Sequence, residues 1–169
     1  SYFLYSCISN YCRSSCLLYL LLMYSISFNK NLVKKLDLFD HNLIFPHEKV
    51  IDQKTSLLID YLRSFNNSII ISSILCCSKS MVIIDGHHRF YALKKLGFKK
   101  VPVTTIDYFA KDIKTDFEEK FSKDSIISSG LSKQPLEPKS TNHLVYCQKS
   151  KLWEPVILLS SLFKLNFPN

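Results

Sequence analysis

The segment from Met81 to Ile106 constrains the fold more than any other part of the chain. A short apolar run, Met81–Ile84, stops at Asp85-Gly86; Phe90, Leu93 and Leu96 then recur at helical spacing, Gly97 offers a natural helix stop, and Val101–Ile106 is again β-branched and apolar. Strand, helix and strand in that succession predict an α/β domain, since a buried period of about 3.6 residues marks the helix and short apolar β-branched runs mark strands. The chain has only three glycines; one directly precedes the paired histidines and one ends the helix after them. So sparing a use gives Gly86 a backbone purpose, a tight turn or the close approach of a ligand.

The flanks extend the pattern. Leu36–Leu43 and Phe45-Pro46-His47-Glu48 read as extended chain broken at Pro46. Asp52 is a fitting N-cap for a helix whose Leu58, Tyr61, Leu62 and Phe65 share one face, with Asn66-Asn67 as its end. Ile69–Leu75 reads as one buried strand, residues 109–135 as a helix or two with loops, and Val156–Phe163 as a packed helix or strand. The expected architecture is a single domain of small mixed sheet flanked by helices over residues 37–146, with 147–169 packing on it as a C-terminal extension. Residues 1–36 differ, being rich in Ser, Tyr, Cys and Leu, and read as a leader, an anchor or a non-native extension.

Composition excludes several classes. At 169 residues, 47% apolar and 21% charged, the chain is neither disordered nor collagen-like. Its longest uncharged stretch, Ser14 to Asn29, falls short of the roughly 20 residues a spanning helix needs, so no stable membrane partner is expected. Half of the net charge of +8 comes from Arg13, Lys30, Lys34 and Lys35 in the acid-free first 36 residues, so the remainder is only mildly basic and no nucleic-acid partner is expected. The six cysteines form no CxxC pair, which argues against zinc and for reduced, mostly buried thiols in a cytoplasmic protein. An organellar or membrane-targeted form would follow from a leader in the first segment.

Chemistry concentrates at Asp85-Gly86-His87-His88-Arg89. A helix N-terminus presents unpaired N–H groups and a positive dipole end, and His87, His88 and Arg89 there would make an anion cradle. Asp85 could hold a metal ion, orient a hydroxyl or simply cap the helix. Glu48, after Pro46, is the candidate general base, with an exposed loop glutamate as the plainer alternative. His47 reads as a surface histidine. Lys139, Thr141 and His143 alternate, so an extended strand would aim all three at one face, either to bind an anion or as a polar edge.

Over Met81–Val103 the sequence resembles the ParB/sulfiredoxin-like fold, and its DGHHR form is similar to the free L-serine kinases. Phe45-Pro46-His47-Glu48 resembles the loop carrying that family's catalytic glutamate, and Pro138-Lys139-Ser140-Thr141-Asn142-His143 resembles its PPKTTRH-like substrate segment. His87 stands where sulfiredoxins carry a catalytic cysteine. The resemblance implies a small-molecule kinase moving a phosphoryl group from ATP or ADP to the hydroxyl of free L-serine. It implies Glu48 as base, Asp85 assisting through Mg2+, and Gly86, His87, His88 and Arg89 on the nucleotide phosphates. Lys139, Thr141 and His143 would face substrate or phosphate. Asn142 stands where the family pattern has Arg. The alternatives are a non-catalytic nucleotide-binding or regulatory module of the same fold and a DNA-partitioning protein.

Overall fold

The computed structural model describes residues 26–116 and 120–168. The expected leader or anchor reading falls mostly on residues outside these. Among the described residues, no helix is long and apolar enough to cross a membrane. The chain is α/β, as expected. Its main sheet has four strands: β1 (Val33–Asp40), β5 (Lys100–Ile106), β3 (Ile74–Cys77) and β4 (Ile83–Asp85), side by side in that order. The β1–β5 and β3–β4 pairs are antiparallel, and β3–β5 is parallel. A parallel pair needs a crossover, supplied here by β4 and helix α2 (His87–Lys95). Helix α1 (Asp52–Arg63) packs beside α2. β2 (Ser68–Ser72) pairs with β9 (Leu162–Asn166), and a second small sheet joins β6 (Ile113–Thr115), β7 (His143–Tyr146) and β8 (Trp153–Pro155). Helix α3 (Lys123–Leu131) lies between β6 and β7 in the chain.

β3 shows why the main sheet is buried on both sides. Its residues alternate, as every strand does. Ile74 and Cys76 enter one apolar cluster with Ile59, Leu62, Phe90 and Leu93 of the two helices. Leu75 and Cys77 enter another, with Tyr108, Ile113, Val145 and Leu159. Cys76, Cys77 and Cys147 are buried free thiols.

Several expectations need correction. The apolar run Ile69–Leu75 is two strands in different sheets. The break comes at buried Ser73, whose N–H donates to Ser161 O (2.8 Å), whose Oγ pairs with Thr104 Oγ1 (2.7 Å), and which accepts from Ser161 N–H (3.0 Å). Nothing local breaks the run; its partners do. In α1, Ile51 is the cap and Asp52 the first helical residue. The buried face is Thr55, Ile59 and Leu62, while Tyr61 stays 61% exposed. The boundary at 36/37 cuts β1, and Phe28 and Leu32 already belong to the core. The 147–169 extension contributes β9, with Phe163 and Leu165 in the core. Residues 109–135 hold a strand, β6, as well as a helix.

Candidate active site

β4 ends at Asp85 and α2 begins at His87, so the chain must reverse at Gly86. It does so with φ 102°, a left-handed conformation that disfavours any side chain; an added Cβ would also stand 2.9 Å from the Arg89 guanidinium. Gly86 has no side chain to cap the helix, so the first-turn N–H groups of α2 face the cleft beside it without a side-chain cap. That cleft has a volume of about 640 Å³, and Glu48, Ser72, Lys139 and Thr141 line it together with residues 85–89.

Three segments distant in sequence meet here. The loop carrying Glu48 is pinned to residue 136 by Leu136 N–H donating to His47 O (2.8 Å) and Lys49 N–H donating to Leu136 O (2.9 Å). This brings residues 139–141 over the Glu48 carboxylate. It accepts N–H bonds from Thr141 (2.7 Å) and Lys139 (3.2 Å), and hydroxyl bonds from Thr141 and Ser140. Glu48 is 8% exposed, far from a solvated loop glutamate.

The two histidines are not the cationic cradle that their position suggests. His87 Nε2 accepts the backbone N–H groups of His47 and Glu48, both at 3.3 Å, and so fixes the glutamate loop. Burial foremost, then the neighbouring His47 and His143, holds its pKa well below the usual value, so the ring is neutral. His88 Nε2 accepts from Ile51 N–H at 3.1 Å, and burial followed by Lys54 and Lys139 lowers its pKa too. Arg89, which also lines the cleft, is engaged by protein partners. It pairs with Asp85, donates to Ser72 Oγ and donates to Ser73 O at 3.0 Å. Burial raises the Asp85 pKa, against the opposing pull of Arg89.

Lys139, Thr141 and His143 do not share one strand face. Lys139 has φ 58°, and β7 begins only at His143. Lys139 and Thr141 still reach the cleft. His143 is buried behind it, its Nε2 3.0 Å from the Tyr108 hydroxyl, with a pKa pulled down to about 3, chiefly by burial. It borders an adjoining cavity of about 180 Å³ shared with Glu48, Asp85 and Thr141. Asn142 donates its amide to Asp116 at 2.5 Å.

Sequence reasoning missed two residues. His47 is wholly buried, packed edge-on against His87 and His143 at 4.6 and 5.7 Å. Its only sequence signal was adjacency to Glu48. Lys54, in the first turn of α1, sits beside Lys139, whose ammonium group lowers the Lys54 pKa. Nothing in the sequence links those two lysines. Among the described residues, no cluster of three or more His, Cys, Asp or Glu side chains forms a metal cage.

No family model matches the chain. It is 39% identical over 80 residues to an ATP-dependent L-serine kinase of Staphylothermus marinus, covering 46% of this chain and 31% of that protein. It is 34% identical over 74 residues to an ADP-dependent L-serine kinase of Thermococcus kodakarensis, covering 41% and 29%. A ParB-like protein of Sulfolobus acidocaldarius is 41% identical over 68 residues, covering 40% and 33%. Among solved structures, a free serine kinase in complex with AMP aligns with a TM-score of 0.43 and 28% identity, over 54% of this chain and 38% of that one. The chain spans about a third of the length of the curated relatives it matches. The sequence resemblance is thus to proteins named L-serine kinase and ParB-like protein.

Proposed function

We propose that this chain carries the active site of a small-molecule kinase that moves a phosphoryl group from ATP or ADP to the hydroxyl of free L-serine, giving O-phosphoserine. One observation carries the reading: a buried carboxylate, Glu48, is aimed by backbone and hydroxyl donors into the same cleft as the uncapped first turn of α2. A base beside an anion-binding helix end is the minimum that phosphoryl transfer to an alcohol requires, because positioning and charge neutralisation supply most of the catalysis. The names of the L-serine kinase relatives supply the substrate class.

In this reading the α2 N–H groups bind the nucleotide phosphates, with Gly86 letting them approach. Lys54 and Lys139 form a like-charge pair that an anion between them would relieve. Glu48 takes the hydroxyl proton as the alcohol oxygen attacks phosphorus. Arg89 orients Asp85 rather than touching phosphate. Asp85 fits a Mg2+ ion held mainly by nucleotide phosphates, since that ion usually takes only one or two carboxylates, and Arg89 and the Gly86 N–H leave part of its acceptor capacity unused. When bound, the ion neutralises phosphate charge. Thr141 orients Glu48, and His143 supports the site from behind.

The test is incubation of the full chain with L-serine, Mg2+ and either ATP or ADP, read as O-phosphoserine formed, beside calorimetric titration of each nucleotide. Nucleotide binding without phosphoserine would favour the non-catalytic module instead. That second reading has its own observation: Asn142 is turned to Asp116 and gives the cleft no arginine fork for a substrate carboxylate.

A further inference from the structure

Thr141 has one hydroxyl proton and two acceptors. Its Oγ1 lies 2.9 Å from His47 Nε2 and in hydrogen-bond contact with Glu48 Oε1. His47 Nδ1 meets Ile83 O, and a carbonyl can only accept, so Nδ1 carries the ring proton. Burial lowers the His47 pKa, against weaker opposing contributions from Ile83 O and Glu48, which leaves Nε2 as a lone pair. With Glu48 ionised, the two acceptors compete for a single hydrogen and one contact goes without. A single added proton removes the conflict. Glu48 then donates to Thr141 Oγ1, Thr141 donates to His47 Nε2, and His47 Nδ1–H donates to Ile83 O, each group now having a partner.

We propose that His47 and Thr141 form with Glu48 a proton-accepting chain, in which His47 is a positioning residue that stabilises the proton Glu48 takes from the alcohol. This rests on the kinase reading given above. In the step, the alcohol O–H breaks and its proton passes to Glu48. The alcohol oxygen forms the new O–P bond with its electron pair. The bridging P–O bond of the nucleotide breaks, and that pair leaves on the departing phosphate oxygen. The proton later returns to solvent. The groups packed around His47 do not supply an alternative acceptor: His87 Nε2 on α2 is already taken by the backbone N–H groups of His47 and Glu48, His143 Nε2 on β7 meets the Tyr108 hydroxyl, and burial lowers the pKa of both rings. Asp85 is paired with Arg89, and Lys139 lines the cleft.

Three variants separate the chain from mere packing. Thr141→Val keeps the size and the backbone N–H to Glu48 but deletes the hydroxyl; Thr141→Ser retains it. His47→Asn keeps an amide donor for Ile83 O but cannot reach Thr141. Steady-state phosphoserine formation is read across pH with nucleotide affinity, and imidazole 15N resonances report the His47 tautomer. Thr141→Val and His47→Asn are expected to lower kcat about ten- to a hundredfold, less than the roughly 10²–10⁴-fold a general base supplies as a whole. KM for serine and nucleotide affinity stay unchanged, and in His47→Asn the acid limb of the pH profile moves to lower pH, because Thr141 then donates to the ionised Glu48 without competition while the proton-bound form has lost its terminal acceptor. Thr141→Ser restores the parent behaviour, and the parent shows an Nδ1–H tautomer with Nε2 accepting. A parental kcat and pH profile in Thr141→Val, where Glu48→Gln is inactive, overturns the chain alone. Full activity in Glu48→Gln overturns the base and the chain together. An Nε2–H tautomer of His47 overturns the chain whatever the activity.

Discussion

At Gly86 the backbone conformation and the nearest neighbour exclude a side chain independently. A left-handed residue with a Cβ costs roughly 1–2 kcal/mol, and here the Cβ would also push Arg89 off Asp85. Gly86→Ala is therefore expected to lose at least that much stability in urea unfolding, and to weaken nucleotide binding as the helix start shifts. Arg89 carries a second expectation. Because it is buried and bonded to Asp85, Ser72 and Ser73, Arg89→Ala should lose about 1.5–3 kcal/mol of stability, as for a lost charge-assisted hydrogen bond. A change below about 0.5 kcal/mol would mean that the guanidinium is solvated and free for phosphate. Lys54 gives the opposite case. It is fully exposed, so Lys54→Ala should leave folding alone and weaken nucleotide affinity about two- to fivefold, an effect that shrinks with added salt. An affinity independent of Lys54 at low salt would place the phosphates elsewhere.

At the scale of elements, α1 shows how a correct helix assignment can carry the wrong face. Leu58, Tyr61, Leu62 and Phe65 satisfy helical spacing as well as Thr55, Ile59 and Leu62 do. Threonine is a weak burial signal, so periodicity alone favoured the aromatic set. The structure buries Leu62 to 1% exposure and leaves Tyr61 in solvent. Leu62→Ala should then cost about 2–5 kcal/mol, and Tyr61→Ala less than about 0.5 kcal/mol, in matched denaturation curves. Equal losses would mean that α1 is rotated from the orientation seen here. The division of Ile69–Leu75 is a similar case, because β propensity cannot say which partner each half will find. β9 and β5 arrive from far along the chain and split the run between two sheets.

For the whole molecule, the buried histidines make stability depend on pH in a definite direction. His47, His87 and His143 have folded pKa values below the unfolded value near 6.5, with His143 at about 3. Between those limits the unfolded chain binds protons that the folded chain does not, so stability rises with pH and is lost as pH falls from about 6.5 toward 3. His143 contributes a slope of up to about 1.4 kcal/mol per pH unit in that window, and His47 and His87 add to it below pH 6.5. Urea unfolding at a series of pH values should show the fall, and His143→Gln should flatten it. A stability independent of pH below 6.5 would show that these rings are protonated or solvated in the folded protein.

What the sequence determined by itself is local. The α/β class, the strand–Gly86–helix turn and the helix stop at Gly97 follow from backbone needs and apolar spacing, which neighbouring residues express directly. Glu48, Asp85 and Lys139 were legible as candidates for the same reason: their residue types stand in short motifs. The roles of His47, His87 and Arg89 were decided by tertiary structure alone. A histidine at a helix start can be a solvated cation or a buried neutral acceptor, and the choice depends on whether another segment covers it. Here residues 47–51 cover His87 and His88, residues 72–73 and 85 engage Arg89, and residues 139–141 close over Glu48. Burial and partner geometry set charge state and hydrogen-bond direction, and both come from contacts between segments that lie tens of residues apart.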